Sequence, residues 1–199
     1  MRTQNILLVG VGGQGTILAG KILAEVAVLQ GLDVKMSEVH GMAQRGGSVV
    51  THVRMGEQVL SPLVEVGEAD FIVAFEKLEA LRWAHYLRDD GCIIVNDQRI
   101  DPMTVITGQF PYPPEILETL QAGAGEVVVL DALQLAREVG SIKAVNVVLL
   151  GALAQRVQIE KEHWLEAVTR TVPAKVLELN LQAFAAGFRA AGSATQADA

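Results

Sequence analysis

The first stretch of this chain that could do chemistry is a glycine-rich turn near the N-terminus. Gly10, Gly12 and Gly15 have the spacing G-x-G-x-x-G, and the apolar run 6–9 comes directly before them. The run predicts a strand buried on both faces, and the pattern from Gln14 onward predicts a helix whose first N–H groups point over the turn. Glycines allow positive φ and a close backbone approach. The turn is therefore a candidate anion cradle.

This spacing leaves two interpretations open. Together with Glu38, which lies roughly 20 residues further on, it fits a site for a nicotinamide or flavin dinucleotide. The same glycines can also serve only the tight packing of a strand against a helix. A P-loop match from Gly15 to Lys21 is rejected because Ile22 stands where that motif requires Ser or Thr, and because the segment lies within the predicted helix.

Residues 37–48 form a second candidate, a loop without a helical period or a strand alternation of useful length. The loop supplies an acid, an imidazole, an amide, a guanidinium and a hydroxyl, in Glu38, His40, Gln44, Arg45 and Ser48. Its glycines permit close approach to a ligand or another chain. Individually, His40 could instead cap a backbone carbonyl, and Arg45 could pair with Glu38 at the surface. For the loop as a whole we favour a binding function.

Hydrophobic periodicity predicts the elements that position these two groups. The predicted helices are 17–29, 76–88, 132–139, 145–156 and 171–188. The predicted strands are 6–9, 33–39, 49–55 with a short hairpin arm at 58–60, 70–75, 92–96, 103–107 and 126–130. We expect the second strand to return parallel to the first as a βαβ unit, with its carboxyl end beside the glycine turn.

Alternating strands and helices predict an α/β protein, a Rossmann-like three-layer sandwich with a mostly parallel sheet and an added β-hairpin. We expect one domain over residues 1–190 and a disordered tail over 191–199. The proline-rich segment 110–114 cannot continue a strand ladder or a helix interior. It is predicted to be an extended connection or a partner-facing arm, with Tyr112 as the candidate anchor.

Composition excludes several classes of protein. The 199 residues carry a net charge of −7, so the chain lacks the basic footprint of a nucleic-acid-binding protein. Cys92 is the single cysteine, so the chain cannot form an intrachain disulfide or ligate an iron–sulfur cluster by itself. Its place in an apolar run predicts a buried hydrophobe rather than a nucleophile. Without a signal pattern or a membrane-length apolar stretch, the expected location is the cytoplasm.

Several motifs, in order along about the first 155 residues, resemble one known family. They are the turn 10–15, the loop 37–49, Ser61-Pro-Leu63, Ala69-Asp70, Phe75-Glu76, Glu79-Ala-Leu-Arg82, and Asn146 with Leu150-Gly151. This set resembles the small subunit of 2-oxoacid:ferredoxin oxidoreductases. It is most similar to the beta subunit of the indolepyruvate enzymes, and the gamma subunit of the pyruvate and ketoisovalerate enzymes forms the wider family.

The resemblance implies an assembly that decarboxylates a 2-oxoacid on thiamine diphosphate, passes electrons through iron–sulfur clusters to ferredoxin, and transfers the acyl group to coenzyme A. This chain has no Gly-Asp-Gly motif with a downstream Asn-Asn pair for a thiamine-bound magnesium ion, and no run of cysteines. We therefore expect it to bind no metal or cofactor alone, and expect both groups in a large partner subunit. Coenzyme A would be a shared substrate. An isolated chain could pair with itself.

The resemblance also implies which residues face the ligand. They are Gly12, Gly13, Gln14, Gly15, Gln44, Arg45, Gly46, Gly47 and Ser48. Backbone N–H groups and Arg45 would hold an anion, either a phosphate of coenzyme A or the carboxylate of the 2-oxoacid. The catalytic candidates are Arg45, His40 and Glu38, of which the last two could assist proton transfer. Two rivals remain, a free-standing NAD- or FAD-binding protein and a purely structural docking subunit.

Overall fold

The computed structural model describes residues 2–40 and 46–197, and the side chains in those ranges except at positions 40 and 194–197. Over these ranges the chain forms a six-stranded sheet of order β2-β3-β1-β4-β5-β6, with helices on both faces. The strands are β1 (Gln4–Val11), β2 (Asp33–His40), β3 (Ser48–Gly56), β4 (Ala69–Ala74), β5 (Leu87–Asn96) and β6 (Glu126–Leu130). The helices are α1 (Thr16–Leu29), α2 (Lys77–Trp83), α3 (Met103–Ile106), α4 (Ile116–Gly123), α5 (Ala132–Glu138), α6 (Val145–Ala154), α7 (Lys161–Thr171) and α8 (Leu177–Ala197). The predicted α/β sandwich is confirmed.

Strand β1 lies at the centre of the fold and is buried on both faces, as predicted from its aliphatic run. Ile6 and Leu8 pack into the cluster that contains α1, α6, α7 and α8, whereas Leu7 and Val9 pack into the cluster under α2 and α4. Neighbouring parallel strands β1 and β4 therefore send their following helices to opposite faces. This is the topological switch point of an open α/β sheet, where a crevice forms at the carboxyl ends of the strands.

The hairpin is formed by β2 and β3, which differs from the prediction. These strands pair antiparallel from Asp33 opposite Gly56 to His40 opposite Val49, and β3 also pairs antiparallel with β1. Strand β2 thus runs parallel to β1, as predicted, but β3 lies between them, so the two strands are not hydrogen-bonded neighbours. The predicted pairing of residues 58–60 with the strand 49–55 is also wrong. Instead of forming a ladder, the Val59 N–H donates to Asp33 Oδ2 at 2.9 Å.

Several other elements differ from the prediction. Residues 103–106 form the short helix α3 rather than a strand, because the N–H of Ile106 bonds to the carbonyl of Pro102 at 3.0 Å. The helix predicted over 76–88 is shorter, and β5 begins at Leu87. Helix α7 was not predicted, and α8 begins at Leu177 and extends to Ala197, beyond the domain boundary expected at residue 190. The predicted disorder of 191–199 stays a prediction.

Helix α6 links the core to the glycine turn. Each of its residues is buried, as its uniformly apolar sequence predicts. The side chain of Asn146, also buried, donates from Nδ2 to the carbonyl of Gly15 at 3.2 Å. A helix packed under α1 thereby holds the start of α1 in place. In the part of the chain that is described, no helix is long and apolar enough to cross a membrane.

Candidate functional site

The glycine turn connects β1 to α1 at the switch point. Gly13 has φ of 104° and Gly15 has φ of 85°, both in a region that side chains disfavour. A Cβ on Gly15 would lie 2.8 Å from Asn146 Nδ2, whereas one on Gly13 would meet no described atom within 4 Å. Gly15 is the N-cap of α1, and no described side chain caps that end. Among the described residues, Gly13 therefore faces open space beside the positive end of α1, as an anion cradle requires.

The Gln14 side chain spans the switch point. Its Oε1 accepts from the N–H of Val11 at 2.7 Å, and its Nε2 donates to the carbonyl of Phe75 at 3.0 Å. Val11 ends β1 and Phe75 follows β4, so this amide ties the two strand ends together. Both of its polar atoms are engaged by the chain itself, which gives Gln14 a positioning role. A direct ligand contact by Gln14 stays a prediction.

The structure brings the turn and the end of the polar loop together. The Gly12 N–H donates to the carbonyl of Gly47 at 2.9 Å, and the Gly46 N–H donates to the carbonyl of Gly12 at 3.5 Å. Gly46 has φ of 77° and is exposed. Two groups predicted to act together from separate motifs thus form one continuous surface.

A cleft of about 400 Å³ opens beside this surface, between α1 and the hairpin. Its lining residues are Gly12, Gly13, Gly15, Thr16, Ile17, Glu38, Val39, Val49, Val50 and Thr51. Most of the walls are apolar, and the polar groups at the site are backbone N–H groups, two hydroxyls and the Glu38 carboxylate. The volume lies in the range of small-molecule sites, so the cleft can hold part of a ligand.

Glu38 does not occupy the position that a dinucleotide site requires. It is paired with Thr51 on β3, and β3 separates its strand from β1. Strand β2 is therefore two strand spacings, roughly 10 Å, from β1, which ends at the glycine turn. In a dinucleotide site the two strands are adjacent. Since Gly12 is also bonded to Gly47, the geometry disfavours the interpretation of the turn as a dinucleotide fingerprint.

Ser48 leads to a network that the sequence did not reveal. Its hydroxyl is bonded to Glu79 Oε2, and Arg82 Nε donates to Glu79 Oε1 at 3.1 Å. The i, i+3 spacing of Glu79 and Arg82 on a helix is typical of a surface ion pair, but Glu79 is buried. Because Glu79 belongs to α2, this network fixes the end of the polar loop to the helix that follows β4.

Glu76 is a second buried carboxylate, one turn before Glu79. It caps α2 by accepting from the Glu79 N–H at 3.0 Å, and it also accepts from the Ile100 N–H at 3.2 Å and the Tyr112 hydroxyl at 2.6 Å. Burial, and secondly the bond to Glu76, raise the pKa of Tyr112, so the phenol stays protonated and donates. The sequence signal was an acid directly between a strand and a helix, the position of an N-cap.

His52 provides a test of how the neighbouring segment 57–68 is held. Its Nδ1 accepts from the Val64 N–H at 3.1 Å, which requires the neutral ring, and burial lowers its pKa from 6.5. A depressed pKa contributes stability above the unfolded-state value that is lost as the pH falls below about 6.5. We expect the free energy of unfolding, measured in urea, to fall less for His52→Gln than for the wild type as the pH drops below about 6.5. Equal losses of stability in the wild type and the variant would contradict the role of neutral His52 as the acceptor for Val64.

Part of the predicted site cannot be placed. Gln44 and Arg45 lie outside the described residues, and for His40 only the backbone, at the end of β2, is described. Their ligand and proton-transfer roles stay predictions. The described site therefore consists of Gly12, Gly13, Gln14, Gly15, Glu38, Gly46, Gly47 and Ser48.

The donor atoms of this chain do not fit the redox groups that the resemblance implies. Cys92 is buried, and burial, followed by the charge of Glu126, raises the pKa of its thiol to about 12. A single protonated thiol cannot supply the four thiolates of a cluster. Across residues 2–40 and 46–197, no three His, Cys, Asp or Glu side chains are grouped so as to hold a metal ion.

Comparisons with known proteins agree with the resemblance. The family model for pyruvate ferredoxin/flavodoxin oxidoreductase matches residues 5–190. Indolepyruvate oxidoreductase subunit IorB of Thermococcus kodakarensis is 40% identical over 196 residues, which cover 96% of this chain and 97% of that protein.

Two solved structures have the same fold. The gamma subunit of keto/oxoacid ferredoxin oxidoreductase from Geobacter sulfurreducens superposes with a TM-score of 0.73 at 26% identity, over 96% of this chain and 99% of that one. The 2-oxoglutarate:ferredoxin oxidoreductase of Magnetococcus marinus, solved with 2-oxoglutarate, coenzyme A and succinyl-CoA bound, superposes with a TM-score of 0.74 at 23% identity. The match covers 97% of this chain but 32% of that longer chain.

The resemblance inferred from the motifs is thus confirmed over nearly the whole chain. Because the family model spans residues 5–190 and the Thermococcus subunit matches along almost its full length, this chain belongs to the pyruvate ferredoxin/flavodoxin oxidoreductase family, among the small subunits of 2-oxoacid:ferredoxin oxidoreductases.

Proposed function

We propose that this chain is the accessory subunit of an indolepyruvate- or pyruvate-type 2-oxoacid:ferredoxin oxidoreductase, and that it forms one wall of an active site completed by a large subunit. The assembly would release carbon dioxide from the 2-oxoacid, transfer the acyl group to the thiol of coenzyme A, and pass the electrons to ferredoxin. The observation that carries the proposal is the backbone pairing of Gly12 with Gly46 and Gly47 beside the cleft.

Within that site, the chain would bind and orient an anionic group. Among the described residues no side chain caps α1, so its start and Gly13 offer N–H groups at one surface, and Arg45 would add a guanidinium. The anion would be a phosphate of coenzyme A or the carboxylate of the 2-oxoacid. The apolar walls of the cleft suit an uncharged part of the same ligand.

Thiamine diphosphate, magnesium and the iron–sulfur clusters would belong to the large subunit, where they supply decarboxylation and electron transfer. Since the donors of this chain do not fit those groups, its contribution is binding, orientation and exclusion of water. His40 or Glu38 would at most assist proton transfer at the edge of the site. We accordingly expect the lone chain to have no turnover.

Reconstitution with the companion large subunit tests this proposal. Arg45→Ala should raise the Michaelis constant for coenzyme A or for the 2-oxoacid by roughly tenfold or more, the effect of losing a charge-assisted hydrogen bond. Arg137→Ala, at an exposed position on α5, is the matched control and should leave both constants unchanged. The ligand role fails if Arg45→Ala changes neither Michaelis constant nor turnover.

The two rival functions give different results. Tight binding of NAD or FAD by the isolated chain would replace our proposal with a dinucleotide-binding protein. If Arg45→Ala weakens co-purification with the large subunit but leaves the Michaelis constants of the remaining complex unchanged, a purely docking function is favoured.

A further inference from the structure

The segment that follows β5 is held in a defined shape by one buried carboxylate. We call residues 99–112 the arm; it leaves the carboxyl end of β5 and contains α3. Glu76, which is 1% exposed, accepts from the Ile100 N–H at 3.2 Å and from the Tyr112 hydroxyl at 2.6 Å. The two donors lie at opposite ends of the arm. A single acid therefore closes the arm into a loop over the start of α2.

Other contacts restrain the arm between these ends. The Arg99 guanidinium lies 4.2 Å from the centroid of the Tyr112 ring. The N–H groups of Gln109 and Phe110 both donate to the carbonyl of Thr104, at 2.9 Å and 3.1 Å. The arm is thus a compact, internally bonded unit.

The arm exposes three large apolar side chains to solvent. Met103, Ile106 and Phe110 are 65%, 65% and 66% exposed. Met103 and Ile106 are one helical turn apart, so they share a side of α3. Single exposed apolar residues are common on surfaces, but several large ones within one short, restrained segment are typical of a binding surface. Tyr112, predicted as the anchor for a partner, instead bonds the arm to Glu76 of the same chain.

We propose that the apolar side of the arm, formed by Met103, Ile106 and Phe110, docks the large subunit by inserting into an apolar recess on it. This inference rests on the proposed function. The arm follows Asn96 at the carboxyl end of β5, at the same edge of the sheet as the glycine turn. Gln14 of the glycine turn donates to the carbonyl of Phe75, and the next residue, Glu76, holds the arm, so a protein that covers the glycine turn also reaches the arm.

The relation to longer chains favours the same occupant. In the Magnetococcus enzyme this fold corresponds to 32% of one polypeptide, so there it is built together with the remaining two thirds. A second copy of this chain seated on the arm would instead obstruct the edge that the large subunit needs. We therefore assign the arm to the contact between unlike subunits.

The test is an affinity measurement between the full chain and the purified large subunit by biolayer interferometry. We expect Phe110→Ser to weaken binding by roughly thirtyfold, the effect of removing an aromatic residue at the centre of an interface. Met103→Ser combined with Ile106→Ser should weaken it similarly. Ile142→Ser is the matched control, because Ile142 is 59% exposed and precedes α6. All variants should keep the melting temperature of the wild type, since the replaced side chains are exposed.

Tyr112→Phe distinguishes the effect of the bond that restrains the arm from the effect of the apolar contact with the large subunit. It removes the hydroxyl bond to Glu76 and keeps the ring, so it should weaken binding by only about threefold to tenfold through the looser arm. Equal affinities of Phe110→Ser and Ile142→Ser for the large subunit would overturn the docking inference and leave the proposed function standing. Loss of self-association by the arm variants, with unchanged large-subunit binding, would overturn it in favour of a second copy. If the wild-type chain does not bind the large subunit at all, the proposed function itself fails.

Discussion

Gly187→Ala is expected to lower the free energy of unfolding by about 3 kcal/mol or more, the upper range for overpacking a core. A Cβ at this position would lie 1.8 Å from the carbonyl oxygen of Val148 on α6. The obstructing atoms belong to the backbone, so no side-chain rotation can relieve the clash and the two helices must separate. The midpoint of urea unfolding of the isolated chain measures the effect.

Gly151 and Gly123 provide the comparison. Gly151 is the counterpart on α6, where a Cβ would lie 2.1 Å from the carbonyl oxygen of Phe184, so Gly151→Ala should also be strongly destabilising. On α4, a Cβ at Gly123 would meet no described atom within 4 Å, so Gly123→Ala should be neutral or up to about 1 kcal/mol stabilising. Equal midpoints for Gly187→Ala and Gly123→Ala would show that the helices are not packed this closely.

Glu76→Ala should lower the free energy of unfolding by about 2–4 kcal/mol, because it leaves three hydrogen-bond donors without their acceptor in a buried place. Those donors are the N–H groups of Glu79 and Ile100 and the hydroxyl of Tyr112. The substitution also removes the cap of α2. Urea unfolding gives the total loss, and hydrogen exchange of the Ile100 amide reports release of the arm.

A double-mutant cycle isolates the bond between Glu76 and Tyr112. Tyr112→Phe alone should cost about 1–2 kcal/mol and should cost less in the Glu76→Ala background. Lys77→Ala is the control, since Lys77 pairs with the partly exposed Asp97 and should contribute less than about 1 kcal/mol. A Glu76→Ala midpoint equal to that of Lys77→Ala would refute the role of Glu76 as a structural anchor.

The sequence predicts those parts of the candidate site whose residues lie within one short stretch of the chain. The aliphatic run, the spacing of Gly10, Gly12 and Gly15, and the helical pattern after them lie within one continuous stretch, and each part has a short-range physical cause. The polar loop was recognised in the same way, by its residue types. Neither signal shows how the two segments meet.

The errors came from pairings that depend on distant residues. Strand patterns identified β2 and β3, but alternation does not specify a neighbour, so the insertion of β3 beside β1 was missed. The local sequence does not show that Glu79 is buried, because its partner Ser48 lies 31 positions earlier. The clamp on the arm joins Glu76 to a tyrosine 36 positions later.

By itself, the sequence determined the α/β class, the buried first strand, the glycine turn and the family, because each depends on residue type and short spacing. Only the tertiary structure decided that Gly12 pairs with Gly47, that Asn146 holds Gly15 across 131 positions, and that the apolar side of the arm faces outward. Those outcomes depend on which backbone and side-chain groups become neighbours when helices and strands pack, and packing is a property of the whole chain.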